Sequence, residues 1–298
     1  MHVINSPKNK SVQSSVRPSN QEDGLPQLLP PKVYIIGSGS GDPELLTVKA
    51  QRLISQADVV IFADSLVPPP IVALARADAE KIRTANKTLE DIVPIMVERV
   101  RSRHSVVRIH SGDPSLYSAI HEQMHRLASE EVPFEVIPGI SAFQAAAAQL
   151  QTELTVPELV QTIILTRVSG RTQVPEAEEL SSLAAHKASL CLYLSARHIE
   201  DSQQRLLQHY DPNTPVAVCF RVGWPDEKIW VVPLNEMASL TQQERLIRTT
   251  LYIISPALAH RPNGEIEGMA GSQDRDSTGD RARSRLYNPD HSHLFRSH

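Results

Sequence analysis

The sequence predicts an α/β protein in which a parallel sheet is followed by a second, mixed sheet. Short apolar runs that end in glycine, serine or aspartate alternate with helical patterns up to about residue 150, as in a parallel sheet covered on both faces. Further apolar runs follow without that regular alternation. Hydrophobic residues make up 41% of the 298 residues and aromatic residues only 4%, which favours an aliphatic core.

The first strand is predicted over residues 33–36, where VYII runs into a glycine-rich loop. A helix is expected to begin at Pro43, because proline suits the first helical position and Asp42 suits the N-cap. The next strand, VVIF, covers residues 59–62. The apolar face of the intervening helix is formed by Leu46, Ala50, Leu53, Ile54 and Ala57.

The same alternation continues up to residue 150. Pro94 is expected to limit or kink one of the helices. The patterns predict helix 88–103, strand 106–109, helix 116–129, strand 134–137 and helix 141–150.

Two α/β domains are therefore expected, an N-terminal domain over residues 31–152 and a C-terminal domain over 161–259, joined by a linker at 153–160. Residues 1–30 lack periodicity and are expected to be disordered, and 260–298 to be a mobile insertion with a C-terminal tail. Strands of the second domain are predicted at 162–165, 190–193, 215–219 and 251–254, with a possible fifth at 228–232.

Composition excludes several function classes. A net charge of -4 gives no electrostatic case for a nucleic-acid partner. Cys191 and Cys219 lie in apolar runs without a CxxC motif, which indicates buried free thiols. Neither a membrane-length apolar run nor a signal-peptide core is present, so a cytoplasmic protein is expected. No GxSxG, HExxH or spaced carboxylate pair suggests a hydrolase, and no metal site is expected, because the histidines near the C-terminus are read as a solvated tail.

The glycine-rich loop GSGSGDP at residues 37–43 has two readings. Its spacing is GxGxG rather than GxGxxG, and Asp42 places a carboxylate where a pyrophosphate would need free N–H groups, so a dinucleotide is disfavoured. The other reading is a tight strand-to-helix turn that requires positive φ angles.

Two further strand ends carry polar residues beside glycine. In HSGDPSLY, Asp113 could accept hydrogen bonds from ribose hydroxyls or a ligand ammonium group, or could cap a helix, and His110 alone indicates a satisfied buried histidine. In PGISA, Ser141 could cap the following helix or hold a nucleoside. Because ligands of open parallel sheets bind beyond the carboxyl ends of strands, three such ends should converge on one site.

The motifs GSGSGDPELLT, FADSLV, HSGDPSLY and VIPGISA, in this order, resemble the tetrapyrrole (corrin/porphyrin) methylase family over residues 33–257. Within the family, several stretches resemble the branch that methylates C-11 of precorrin-4. These stretches are residues 64–67, 110–117, 162–167, 170–176 and 192–196, with 284–287 and 293–296 near the C-terminus.

This resemblance implies a homodimer that binds S-adenosylmethionine (SAM) between two domains and a tetrapyrrole in a trough beside it. It implies methyl transfer from SAM to C-11 of precorrin-4 or cobalt-precorrin-4 in cobalamin biosynthesis. Ser40 stands where the family commonly has proline, which loosens that turn. By match to the family's motifs, the cofactor-binding residues are Ser40, Ser111, Gly112, Asp113, Leu116, Tyr117, Ser141, Ala142 and Leu194.

Methyl transfer from a sulfonium needs no protonated leaving group, so the protein mainly supplies alignment and electrostatics. Asp42 is the candidate catalytic residue, as a charge near the substrate, although a capping role alone is equally compatible. Arginines suit the carboxylates of a tetrapyrrole, with surface ion pairs as the alternative. The candidates are Arg83, Arg108, Arg167, Arg171 and Arg285, of which Arg167 and Arg171 lie inside branch motifs and are the predicted substrate-binding residues.

Three other functions remain open at this point. The chain could methylate a different tetrapyrrole carbon, as in uroporphyrinogen III methylation. It could methylate RNA or protein, which the lack of a basic stripe disfavours. It could also be a regulatory module that binds a nucleotide without catalysis, which only a turnover measurement separates from an enzyme.

Overall fold

The computed structural model describes residues 29–170 and 172–261, whose strands form two five-stranded sheets. The strands are β1 Val33–Gly37, β2 Val59–Phe62, β3 Glu80–Arg83, β4 Val106–His110, β5 Phe134–Ile137, β6 Ile163–Arg167, β7 Ser189–Tyr193, β8 Pro215–Phe220, β9 Lys228–Pro233 and β10 Thr250–Ile254. The helices are α1 Val48–Gln56, α2 Pro69–Val72, α3 Leu89–Arg101, α4 Ile120–Ser129, α5 Ala142–Gln149, α6 Leu180–Ala184, α7 Ile199–Leu206 and α8 Met237–Gln243.

The first sheet is parallel throughout, with strand order β3-β2-β4-β1-β5. Alternate residues of β1 face opposite layers, as the period of a strand requires. Tyr34 and Ile36 pack with α1 on one side. Val33 and Ile35 pack on the other side with α3 and with Leu127 of α4. Burial on both faces explains why these strands are continuous apolar runs.

The second sheet has strand order β6-β7-β10-β8-β9, with β6 and β7 parallel and the remaining pairs antiparallel. One face packs against α6, α7 and α8. The other face buries Cys191, Ala217 and Cys219 against Ala145 and Ala146 of α5. Helix α5 therefore joins the two sheets, and both cysteines are buried free thiols, as predicted.

The strand order places β4 beside β1, with β5 on the other side of β1. Because these three strands are parallel, their carboxyl ends lie at the same edge of the sheet. The loops that follow them are the three glycine-containing loops singled out in the sequence. The fold thus brings together three segments that are well separated along the chain, at the edge where parallel sheets bind ligands.

Two predicted helix starts were wrong, and Pro94 does not end the helix that contains it. The helix expected from Pro43 begins at Val48, because Pro43–Leu45 form a separate 3-10 turn and the Oγ1 atom of Thr47 accepts a hydrogen bond from Ala50 N. The helix expected from Leu116 begins at Ile120, after a turn that contains left-handed residues. Helix α3 continues through Pro94, which lies on its exposed side, where water can satisfy the carbonyl group left without an N–H partner.

The predicted α/β class with a parallel and a mixed sheet is confirmed. Strand β3 was not predicted, since three of its four residues, EKIR, are charged and it lies at the sheet edge. The division into domains at residues 153–160 stays a prediction. The expectations for residues 1–28 and 262–298 lie outside the described residues. Within the described part, no helix has the length and apolar character needed to span a membrane.

Candidate functional site

The loops after β1, β4 and β5 meet through their glycine backbones. A Cβ atom added to Gly139 would lie 2.3 Å from the carbonyl oxygen of Gly112 and 2.8 Å from the Cα atom of Gly37. Gly39 and Gly112 form an isolated antiparallel bridge, in which Gly112 N donates to Gly39 O at 2.7 Å. The expected convergence of three strand ends is present, and the contact is close enough to exclude any side chain at its centre.

Asp113 fastens two of these loops together. Its Oδ2 atom accepts from Gly139 N at 2.8 Å, and its Oδ1 atom accepts from both the backbone N–H and the hydroxyl of Ser115. Burial alone would raise the pKa of Asp113, but the hydrogen bonds from Ser115 and Gly139 outweigh it and hold that pKa below its usual value. The carboxylate is therefore ionised at neutral pH and already organises the loop backbones.

Ser141 links the third loop to the second sheet. It precedes α5, where Gln144 Oε1 accepts from Ser141 N at 2.9 Å. The Ser141 hydroxyl lies 2.8 Å from the hydroxyl of Tyr193, at the end of β7. Because the Tyr193 hydroxyl also accepts from Phe143 N at 3.2 Å, it can donate its own proton to Ser141. In that arrangement the Ser141 proton is free for a ligand.

Two exposed side chains beside this junction have left-handed backbone angles. Tyr117 has a φ of 53° and is 43% exposed, and Leu194 has a φ of 53° and is 67% exposed. The Tyr117 ring lies 5.5 Å from the ring of Tyr193. Left-handed angles are unfavourable for residues with side chains and are typical of functional sites. They leave an aromatic and an aliphatic surface beside the strand ends.

The glycine loop after β1 is covered by the loop that joins β8 and β9 of the second sheet. A Cβ atom added to Gly41 would lie 2.6 Å from Cδ1 of Trp224, and one added to Gly223 would lie 2.9 Å from the Ser40 hydroxyl oxygen. The side chain of Asp42 accepts from Glu44 N at 2.8 Å and so caps the 3-10 turn. The capping alternative for Asp42 is therefore realised, and its catalytic role stays a prediction.

Arg167 ends β6, and its guanidinium group is turned towards its own loop. Nη1 donates to the carbonyl oxygens of Val168 and Thr172 at 3.2 and 2.9 Å, and Nη2 donates to that of Gln173 at 3.2 Å. These bonds use much of the donor capacity that substrate binding would need. The predicted substrate residue Arg171 lies outside the described residues.

Four enclosed side-chain atoms within the described ranges have no hydrogen-bond partner: Ser40 Oγ, Arg108 Nε, His110 Nε2 and Gln123 Oε1. Arg108 and His110 lie in β4, Ser40 in the loop after β1 and Gln123 in the first turn of α4. His110 is thus buried but unsatisfied, contrary to the sequence interpretation. Burial and the charge of Arg108 lower the pKa of His110 to about 3, so its imidazole is neutral.

The structure brings the other predicted residues to the same edge. Gly112 takes a φ of 67°, which glycine tolerates. Ser111 is exposed, and Leu116 and Ala142 are half-buried. Sequence reasoning did not identify Tyr193, although its place at the end of a strand next to Leu194 was a usable signal. No group of three metal-binding side chains occurs in residues 29–170 and 172–261.

The site thus combines an ionised carboxylate, a hydroxyl pair with a free donor, and exposed aromatic and aliphatic surfaces. Such a combination suits a small ligand with both polar and apolar parts. No enclosed acid–base dyad accompanies it in the part of the chain that is described. The arrangement favours binding and alignment of reactants rather than proton transfer.

Comparison with known proteins matches this architecture. The family model described as Tetrapyrrole (Corrin/Porphyrin) Methylases matches residues 32–238. The chain is 40% identical over 264 residues to a Precorrin-4 C(11)-methyltransferase from Pseudomonas aeruginosa, a match that covers 89% of this chain and 98% of that protein.

Two solved structures share the fold. The X-ray structure of a cobalamin biosynthetic enzyme, cobalt precorrin-4 methyltransferase, is 42% identical with a TM-score of 0.74, covering 76% of this chain and 96% of that one. A uroporphyrin-III C-methyl transferase from Thermus thermophilus complexed with S-adenyl homocysteine is 27% identical with a TM-score of 0.66, covering 77% and 99%.

Proposed function

This chain belongs to the tetrapyrrole (corrin/porphyrin) methylases, and we propose that it transfers the methyl group of SAM to C-11 of precorrin-4 or cobalt-precorrin-4 in cobalamin biosynthesis. The observation that carries the proposal is the 40% identity that extends over 98% of a precorrin-4 C(11)-methyltransferase. The junction of three strand-end loops beside the second sheet supplies a site of the required kind.

The residues present fit SAM. The free proton of the Ser141–Tyr193 hydroxyl pair can donate to an acceptor, and the ionised Asp113 can attract a cation or accept from a hydroxyl. Tyr117 and Leu194 offer apolar surface to a purine or a thioether-like chain. The close glycine contact lets backbone atoms approach a ligand directly. These features support the predicted SAM-binding set, to which we add Tyr193.

When bound, SAM supplies an electrophilic methyl group on a positively charged sulfur. The residues of this chain bind and orient the reactants. The hydrogen bond from Gly139 N to Asp113 fixes the loops after β4 and β5 relative to each other, and the bond between Tyr193 and Ser141 holds the start of α5 against β7. We propose that Asp42 adds negative charge at the glycine loop. We also propose that Arg167 shapes the chain that follows β6 beside the substrate, since it donates hydrogen bonds to the carbonyl oxygens of Val168, Thr172 and Gln173.

The test is turnover on three tetrapyrroles. Purified protein is incubated anaerobically with SAM and, in separate samples, precorrin-4, cobalt-precorrin-4 or uroporphyrinogen III, and product masses are recorded. A gain of one methyl group with either form of precorrin-4 is expected, and the preferred form identifies the pathway variant. Transfer to uroporphyrinogen III alone would assign a different tetrapyrrole reaction. SAM binding without transfer to any of them would favour the non-catalytic reading.

The homodimer implied by the family resemblance and the cytoplasmic location expected from the sequence stay predictions. Sedimentation equilibrium of the purified chain tests the first. A mass of twice 33.0 kDa is expected, and a monomer at micromolar concentration would contradict it. The location requires fractionation of the source cells.

A further inference from the structure

Arg108 is a buried arginine without a carboxylate partner. It lies in β4, is 8% exposed and makes no salt bridge within residues 29–170 and 172–261. Its Nη1 atom donates to the hydroxyl of Thr84 at 3.0 Å, whereas Nε is enclosed and has no partner. By contrast, the more exposed arginines Arg99 and Arg205 both pair with carboxylates.

The guanidinium group keeps its charge despite this burial. Burial lowers the pKa of Arg108 to about 10, so the group is still protonated at neutral pH. A buried cation without an anion is unfavourable, because the interior replaces few of the interactions lost with water. Such a group contributes little to the stability of the fold, but it is well suited to bind an anionic group of a ligand.

The side chain of Arg108 extends towards the carboxyl end of β3. Arg108 pairs with Ile61 of β2, and its guanidinium extends across β2 to Thr84, the residue after β3. Two strand spacings of about 4.8 Å separate β4 from β3, and the extended side chain and its hydrogen bond to Thr84 cover that span together. The charge is therefore carried from the middle of the sheet towards the loops after β2 and β3.

His110 is a second unsatisfied group on the same face of β4. It lies two residues after Arg108, so the two side chains point to the same side of the strand. His110 is 8% exposed, and its Nε2 atom is enclosed without a partner. Its backbone carbonyl accepts from Ser38 N at 2.8 Å, which places this residue directly beside the glycine loop.

We propose that Arg108 and His110 form a binding subsite for one carboxylate side chain of the tetrapyrrole, an inference that rests on the function proposed above. The guanidinium fork matches the two oxygens of a carboxylate, and neutral imidazole can add one N–H donor. Arg108 would thus hold the substrate, while Arg167 is engaged with its own loop.

The test is an anaerobic titration of the protein with precorrin-4 in the presence of S-adenosylhomocysteine, which prevents turnover. Arg108→Met removes the charge and keeps an unbranched side chain of similar length. Arg108→Lys keeps the charge without the fork. Lys81→Met is the matched control, because Lys81 is an exposed cation on strand β3 of the same sheet.

Arg108→Met is expected to weaken precorrin-4 binding by about tenfold to one hundredfold, as for a lost hydrogen bond to a charged group. Arg108→Lys should recover part of this loss, and Lys81→Met should bind as the wild type does. The affinity for S-adenosylhomocysteine should change less than about twofold in all three variants, by the additivity of separated sites. The Tm of Arg108→Met should fall by no more than about 3 °C, because an unpaired buried charge is removed along with one hydrogen bond.

Wild-type affinity for precorrin-4 in Arg108→Met would overturn the subsite. So would a large fall in Tm with equal loss of both ligands, which would identify a structural role. Failure of the wild type to bind or methylate precorrin-4 would instead contradict the proposed function, and the subsite with it. If the wild type methylates precorrin-4 and Arg108→Met binds precorrin-4 as tightly as the wild type does, the subsite is contradicted and the proposed function stands.

Discussion

The close contact of the three glycine loops predicts a severe effect of adding one methyl group. In Gly139→Ala the new Cβ atom would lie 2.3 Å from the Gly112 carbonyl oxygen and 2.8 Å from the Gly37 Cα atom. Ordinary contacts between such atoms are about 1 Å longer, and both neighbours are backbone atoms that cannot rotate away. The loops must therefore separate.

Overpacking of this kind costs about 1–3 kcal/mol, and each kcal/mol lowers the Tm of a chain of this size by about 2–4 °C. Separation of the loops would also lengthen the 2.8 Å hydrogen bond from Gly139 N to Asp113. Asp113 would then leave the position from which we propose that it binds SAM, so SAM affinity should fall by at least about tenfold, as for a lost hydrogen bond to a charged group.

Thermal unfolding and calorimetric titration with SAM measure both effects. Gly170→Ala is the matched control, because its Cβ atom would approach only His198 Nε2, at 3.7 Å. It should leave Tm and SAM affinity unchanged. A folded Gly139→Ala variant with wild-type Tm and SAM affinity would refute the reasoning.

Three further outcomes are expected. Tyr193→Phe removes a hydroxyl that bonds to Ser141, so it should lower the free energy of unfolding by about 1 kcal/mol and weaken SAM binding several-fold. Unchanged SAM affinity in calorimetry would show that Tyr193 does not contribute to the SAM site. Asp113→Ala should weaken SAM binding by about 1–3 kcal/mol, while Ser115→Ala, which leaves the carboxylate in place, should have a smaller effect. The pKa of His110 falls from 6.5 in the unfolded chain to about 3 when folded, so its contribution to stability is complete above pH 6.5 and is lost as pH falls towards 3. At pH 5 that loss is about 2 kcal/mol. In denaturant titrations, the free energy of unfolding of His110→Gln should therefore fall less between pH 7 and pH 5 than that of the wild type. Equal losses would contradict the burial of an unpaired imidazole.

Much of the fold could be predicted because its signals are local. Runs such as VYII and VVIF can be buried only in a two-sided sheet, and their alternation with helical patterns requires parallel pairing. Strand β3 could not be found in this way. It lies at the sheet edge, and its residues EKIR are mostly exposed, so its strand conformation depends on pairing with β2 rather than on its own composition.

Helix starts were less predictable, because two residues compete for the same role. Asp42 and Thr47 both have side chains that cap a following turn, and each does so in the structure. The result is a 3-10 turn before α1 instead of one longer helix. In a similar way, LYSA after Pro114 has helical propensity, but Tyr117 and Ala119 adopt left-handed angles that only tertiary contacts can impose.

The candidate site was predictable where glycine and polar residues follow strands, as at Gly112, Asp113 and Ser141. It was not predictable where contacts cross between the sheets. The bond between Ser141 and Tyr193 joins residues 52 positions apart, and no local pattern specifies it. Nor does the sequence reveal that Arg167 donates three hydrogen bonds to the backbone after β6, whereas Arg108 donates one to Thr84 and leaves Nε without a partner.

The position of the transferred methyl group tests the central claim most directly. The protein is incubated anaerobically with precorrin-4 and SAM carrying a carbon-13 methyl group, and the product is examined by carbon-13 NMR. The account predicts one labelled methyl group bonded to C-11 of the macrocycle. A label on any other ring carbon, or none on the tetrapyrrole, would contradict it.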